Sequence, residues 1–296
     1  VPHDPVTLTV ADSDVATYHD GSDLAAELSP RPYLHPVRTP AGVAVTETYP
    51  ADHRHHYGVS AAVADVDGVT FWGGKSFVLG QGYTMLPNQG RQDGPVPTVM
   101  AGPDGTVLQQ QLSWTGPDGE ELVVEDREIR LARVEREVPA NLLLWRSDLR
   151  AAHRDLTFGS PATRGRTGAG YGGLFWRVGP EAPTTVRVAT ADGVVSGEEN
   201  ALGAVGPWLT LTQVRDDGPV TLLLAQPRQD GEHPLPWFVR VGGYVGAGPA
   251  VAWGEQPVPF ARGTTRRLQL AAALVDTDLD PAAAEVLYRD LEQLAS

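Results

Sequence analysis

The chain reads as mainly β: a large antiparallel β-sandwich with one C-terminal helix. Roughly a dozen short segments rich in β-branched and aromatic residues are separated by turn signals. The 33 glycines and 25 prolines are scattered as turns and not gathered into a linker. Helical periodicity is clear only near the end of the chain, so βαβ units are not expected. With no fixed-period repeat and no linker, 1–296 is read as a single β-sandwich domain.

Taken in order, Val6–Val10 alternates apolar residues with threonine as a strand, and Val15–His19 follows after a polar turn. Leu24–Leu28 is too short for periodicity to decide between a helical turn and a strand entry. Pro30, Pro32, Pro36 and Pro40 exclude helix across Tyr33–Val37 and hold His35 on a stiff segment. Gly42–Thr48 is expected as a strand, Val59–Val66 as another, and Val69–Trp72 as its hairpin partner across Asp67-Gly68. Lys75–Val96 is expected as a long surface loop, a natural rim for a pocket.

Thr106–Thr115 and Glu120–Ala132 are expected as strands around a Pro117-Asp118-Gly119 turn, followed by Val134–Asp148 and His153–Ser160. Gly165–Gly173 lacks the strand-turn-helix context and spacing of a dinucleotide site, and reads as a loop that lets backbone approach a ligand closely. Thr184–Thr190, Trp208–Val214, Val220–Gln226, Trp237–Arg240 and Arg266–Val275 complete the strands, with a Pro227–Pro236 loop carrying His233. Asp280 as N-cap, Pro281 at N1, and Ala284, Leu287, Tyr288, Leu291 and Leu294 on one face predict helix over Asp280–Leu294.

Composition narrows the chemistry. Lys plus Arg number 23 against 37 Asp plus Glu, a net charge of −14 that repels phosphate backbones and anionic membranes, so neither nucleic acid nor membrane is an expected partner. There is no cysteine, which excludes disulfides, thiolate catalysis and zinc-thiolate sites. No basic region leads into an apolar run at Val1, so a cytoplasmic location is expected unless a leader was removed before it. Exposed sandwich edges leave room for a homodimer.

Titratable groups concentrate between Arg31 and Lys75. Four of the eight histidines (His35, His53, His55, His56) lie there with Lys75, the sole lysine against 22 arginines. In a strand His53 and His55 share one face and His56 takes the other. Same-face histidines two apart can seat two ligands of a divalent metal, with His35, Asp52 or Glu125 as a third. Without metal, histidines around a pocket move protons at neutral pH, and a desolvated Lys75 serves as base or electrostatic partner. Trp72, Trp176 and Trp237 offer flat surfaces for a sugar ring, with Arg177 and Arg240 as donors to hydroxyls or carboxylates. Glu125 or Asp126 is a further candidate acid.

Arg31-Pro32-Tyr33-Leu34-His35-Pro36-Val37-Arg38-Thr39-Pro40-Ala41-Gly42, Asp52-His53-Arg54-His55-His56-Tyr57-Gly58 and Phe71-Trp72-Gly73, with Gly170–Phe175 and Pro234–Arg240, resemble an uncharacterised bacterial family labelled "methane oxygenase PmoA-like". The resemblance runs from about Arg31 to Arg266. It is to a soluble family and not to the membrane subunit of methane monooxygenase, a bundle of apolar helices. It implies an association with sugar catabolism and with oxidoreductases that make keto-sugars, and a sandwich of the aldose-mutarotase (supersandwich) type.

The resulting expectation is a carbohydrate-processing enzyme acting on a sugar, keto-sugar or glycoside by histidine acid-base chemistry, of lyase, hydratase or epimerase type. His35, His53, His55, His56 and Lys75 form the candidate catalytic set. Trp72, Tyr171, Arg177, His233, Trp237 and Arg240 are the candidate substrate contacts. Two alternatives remain: a metal-dependent hydrolase or oxygenase with His53, His55 and His35 as ligands, and a non-catalytic sugar-binding module.

Overall fold

A computed structural model describes residues 3–102, 105–229 and 233–296. Its described strands build two large antiparallel sheets. The seven-stranded sheet runs, edge to edge, Val6–Val10, Ser13–His19, Tyr33–Val37, Val59–Ala62, Gly173–Val178, Val245–Pro249 and Trp237–Arg240. A ten-stranded sheet is centred on Thr265–Val275 and Ala140–Ala151, and extends through Glu121–Val134 and Gly105–Thr115 on one side. On the other side it extends through Gly218–Ala225, Trp208–Arg215 and Thr184–Thr190.

Alternation decides what lies between and outside the sheets. Leu174, Trp176 and Val178 of one strand and Trp237 and Val239 of another join Leu143, Trp145 and Leu270 of the larger sheet in one buried cluster. The intervening residues, Phe175 and Arg177, then Phe238 and Arg240, take the opposite face, and Phe175 and Phe238 belong to a separate small cluster with Trp72. That outer face carries the site.

The ten-stranded sheet buries its own outer face under the C-terminal helix, Pro281–Ala295, through Leu287, Tyr288 and Leu291. Asp280 caps the helix by accepting from the Ala283 N–H, as expected. Among the described residues no helix is long and apolar enough to cross a membrane.

Several expectations are corrected. Gly42–Thr48 is not a strand and makes only isolated bridges, Arg38 with Ala44 and Thr48 with Tyr57. Val59–Val66 breaks in two: Val59–Ala62 stays in the seven-stranded sheet, while Asp65–Val66 pairs with Leu156–Gly159 in a three-stranded sheet. Val69–Trp72 is then left with two isolated bridges, Val66 to Val69 and Thr70 to Gln89. Lys75–Val96 is not all loop, since Ser76–Val78 and Gly82–Thr84 form a hairpin and Arg91–Asp93 joins the larger sheet. Within the glycine-rich stretch, Gly170 and Gly172 let the chain pass close to the protein's own backbone: a Cβ on Gly170 would stand 2.4 Å from the Trp253 carbonyl oxygen, and one on Gly172 2.9 Å from the Ala64 nitrogen. Within the Pro227–Pro236 loop, residues 230–232 lie outside the described residues.

Candidate functional site

His53–His56 is a turn and not a strand. The Pro50 carbonyl accepts from the His53 N–H at 3.0 Å and the His53 carbonyl from the His56 N–H at 2.9 Å. Such winding brings side chains three apart onto one side. His53 therefore stacks on His56 with ring centroids 4.8 Å apart, and His55 meets His56 edge-on at 4.7 Å. The expectation that His56 turns away from His53 is corrected by this geometry.

The three rings rest on the outer face of the seven-stranded sheet. His56 is 1% exposed and packs edge-on against Trp72, Phe175 and Tyr244. A cleft of about 600 Å³ opens above, lined by the histidines, Trp72, Tyr171, Phe238 and Tyr244. A second hollow of about 380 Å³, lined by Asn88, Ser160 and Arg164, shares Trp72, Lys75 and Tyr171 with it.

Arg31 holds these loops together. Its buried guanidinium donates to the carbonyls of His55 at 2.8 Å and Trp72 at 3.1 Å, to those of Leu28 and Ser29, and to Ser60 Oγ, and lies 4.5 Å over the Tyr57 ring. Gly73 and Gly74, both at positive φ, let the chain after Trp72 pass close by: a Cβ on Gly73 would meet the Leu28 oxygen at 2.4 Å, and one on Gly74 would meet His55 Nδ1 at 2.9 Å.

Electrostatics separate the imidazoles by role. Burial, then the charges of Arg31 and His53, lowers His55 to about 3, and burial with His55 and His53 nearby holds His56 well below its ordinary value. Both rings are neutral at pH 7. Burial raises Asp52, but hydrogen bonds from His53 and the backbone outweigh it and hold the carboxylate below its usual range. Asp52 Oδ2 stands 2.6 Å from His53 Nδ1. An ionised carboxylate only accepts, so Nδ1 carries the proton and a neutral His53 keeps its lone pair on Nε2. Burial pushes the Tyr244 hydroxyl up to about 12, leaving it a donor.

The other sequence candidates divide. Lys75, Trp72, Tyr171 and Arg240 line the cleft, with Arg240 paired to Glu198 at 2.8 Å. Lys75 is exposed, so the desolvated lysine expected from the sequence is corrected. Arg177 is buried behind Tyr244, its guanidinium 4.9 Å from that ring and 2.8 Å from Glu47.

His35 is not part of this cleft. It faces Thr46 Oγ1 at 2.9 Å, and its carbonyl accepts from His19. Trp237 and Trp176 are core residues whose indole N–H groups donate to the carbonyls of Gly206 and Val45, so neither is a sugar platform. His233 is exposed on a separate hollow beside Arg228 and Tyr288. Glu125 is fully buried and bonded to Arg127, Trp114 and Ser147, a core ion pair and not a catalytic acid. Asp126 pairs with Arg150 on the surface.

The expected three-ligand metal set is not assembled, because His35 faces elsewhere and His53 and His56 lie ring over ring. Among the described residues no three His, Asp or Glu side chains are grouped to hold a metal ion. The sequence reading missed Tyr244, Phe175, Phe238, Tyr83 and Arg166. Alternation was the available signal for two of them, since Phe175 and Phe238 stand two residues from Arg177 and Arg240 on the same strand faces.

Compared with known proteins, residues 5–289 match a family described as Family of unknown function (DUF6807). No curated protein matches the chain.

Proposed function

Since the chain belongs to DUF6807, a family of unknown function, we propose that it is a carbohydrate-processing enzyme that moves a proton on a sugar or keto-sugar through the His53–His56 cluster. The observation that carries this is the three packed imidazoles at the floor of an aromatic-walled cleft, one of them backed by a carboxylate. We read the two sheets as the aldose-mutarotase type, and keep the PmoA-like resemblance for its link with keto-sugars.

In this reading a pyranose ring lies against Trp72 and Tyr171, whose faces match the apolar side of a sugar. His53 Nε2 removes the proton on the carbon next to the carbonyl, and Asp52 stabilises the imidazolium that forms. Neutral His55 and the Tyr244 hydroxyl donate to the carbonyl oxygen as it takes up negative charge, the role of a neutral imidazole electrophile. From there a proton delivered to the opposite face of the carbon by solvent epimerises it, the imidazolium releasing its own proton in turn. Transfer of the imidazolium's proton to a β-substituent as the C–O bond breaks instead eliminates that group. Hydration is the reverse of the second course.

The test is an NMR panel of aldoses, keto-sugars and keto-glycosides in D2O. Exchange or turnover at the carbon beside the carbonyl, lost in a folded His53→Ala protein, supports the reading. Binding without exchange or turnover across the panel leaves a sugar-binding module, and turnover that needs an added divalent metal overturns the metal-free course.

A further inference from the structure

We infer that the sugar this cleft takes is an anion, a sugar acid whose carboxylate meets the basic rim; this rests on the carbohydrate reading above. The cleft reverses the charge of the molecule around it. The chain carries −14 overall, yet Arg54, Lys75, Arg166 and Arg240 line the cleft against only Glu27 and Asp52.

These charges are not equally committed. Asp52 is engaged by His53, and Arg240 by Glu198. Arg54, Lys75 and Arg166 have no carboxylate within ion-pair distance among the described residues; Arg166 instead donates to the Tyr83 hydroxyl and lies over its ring. Elsewhere on this acidic surface, arginines such as Arg91, Arg150, Arg154 and Arg164 each stand against an Asp or Glu. Leaving three cations without acidic partners at one cleft favours an anionic ligand and draws it in from solution.

A second observation lies deeper. Arg177 is 3% exposed and its Nη1 has no hydrogen-bond partner among the described residues, a condition shared by His56 Nδ1. Arg177 stacks on Tyr244, a lining residue, and its charge acts on both Asp52 and His56. Arg177 sits behind Tyr244 and does not line the cleft, so its charge favours an anion there through space and not by contact. His55 and His56 are neutral and add no charge of their own, so attraction of the anion falls to Arg54, Arg166, Arg240 and Lys75. The carboxylate is held at the rim while the ring carbon faces His53.

Calorimetric titration of the full chain with two matched pairs, glucose with glucuronate and fructose with fructuronate, and with succinate as a non-sugar acid, tests this. The acid of at least one pair is expected to bind about tenfold or more tighter than its neutral partner. That preference is expected to shrink between about 20 and 500 mM salt, and in a Lys75→Gln/Arg166→Gln protein, both residues being exposed. Equal binding within both pairs overturns the inference and leaves the carbohydrate reading standing. Succinate bound as well as the sugar acids, with neutral sugars silent, keeps the anion site and overturns the carbohydrate reading. No binding of any probe overturns both.

Discussion

Arg31 donates from Nη2 to the carbonyl oxygen of His55 across 2.8 Å, and its charge is second only to burial in holding that residue's ring neutral. One side chain therefore sets both the position and the protonation of a candidate catalytic group. It has no acidic partner among the described residues, and its charge is spread over four carbonyls, a hydroxyl and the Tyr57 ring. Burial lowers Arg31 itself to about 10, so it remains a cation at neutral pH.

Replacing Arg31 with Met strands those carbonyls and is expected to cost about 3 kcal/mol or more in chemical denaturation. In whatever protein remains folded, His55 titrates higher than in the wild type yet still below an ordinary histidine, because burial is the larger cause. Histidine NMR signals followed against pH check this; an unmoved His55 would remove Arg31 from its electrostatics.

Acid is expected to destabilise the fold from a higher pH than carboxylates alone explain. His35, His55 and His56 all have lowered values in the fold, so below about 6.5 the unfolded chain binds protons that the folded chain does not. Stability is full above that pH and falls as pH drops toward 3, by up to about 1.4 kcal/mol per pH unit for each ring. Lowered carboxylates such as Asp52 and Glu198 act in the same direction, but only below about pH 4. Denaturation at several values between pH 7 and 5 should show the slope, and His55→Gln should flatten it.

Asp52→Asn keeps a hydrogen-bonding side chain at His53 but removes the charge that fixes its tautomer and supports its imidazolium. Loss of turnover by about 10²–10⁴-fold with little change in melting temperature is the expected result. Full activity in this variant would take Asp52 out of the chemistry.

Glu125→Gln is expected to be a stability variant. It leaves the buried Arg127 guanidinium without its counter-ion, at about 3–5 kcal/mol. Ligand affinity per folded molecule, measured well below the melting temperature, should not change. A selective loss of turnover would return Glu125 to the list of catalytic acids.

At the C-terminal helix, Asp280→Ala removes the acceptor for the Ala283 N–H and should cost about 1 kcal/mol. Leu291→Ala opens the fully buried seam beneath it and should cost about 2–5 kcal/mol. Both are read by denaturation, and both should leave the distant cleft's binding unchanged.

Strand content and the final helix were readable from sequence because alternation, turn residues and capping are local. Thr184–Thr190 and Trp237–Arg240 have the bounds their residue patterns predict, and the cap at Asp280 forms as its spacing requires. The concentration of histidines was equally visible. Which of them meet was not, because that depends on the backbone between them: two successive turns from Pro50 stack His53 on His56, where a strand would have parted them. Tertiary structure alone sent His35 to Thr46, Trp237 and Trp176 into the core, and Glu125 to Arg127. It also brought Tyr244, Phe238 and Arg166 to the cleft from segments more than a hundred residues away from the histidines. A side chain's type sets what chemistry it can do, whereas its burial and partners are set by whichever strand the sheet order places beside it, and that pairing is long-range.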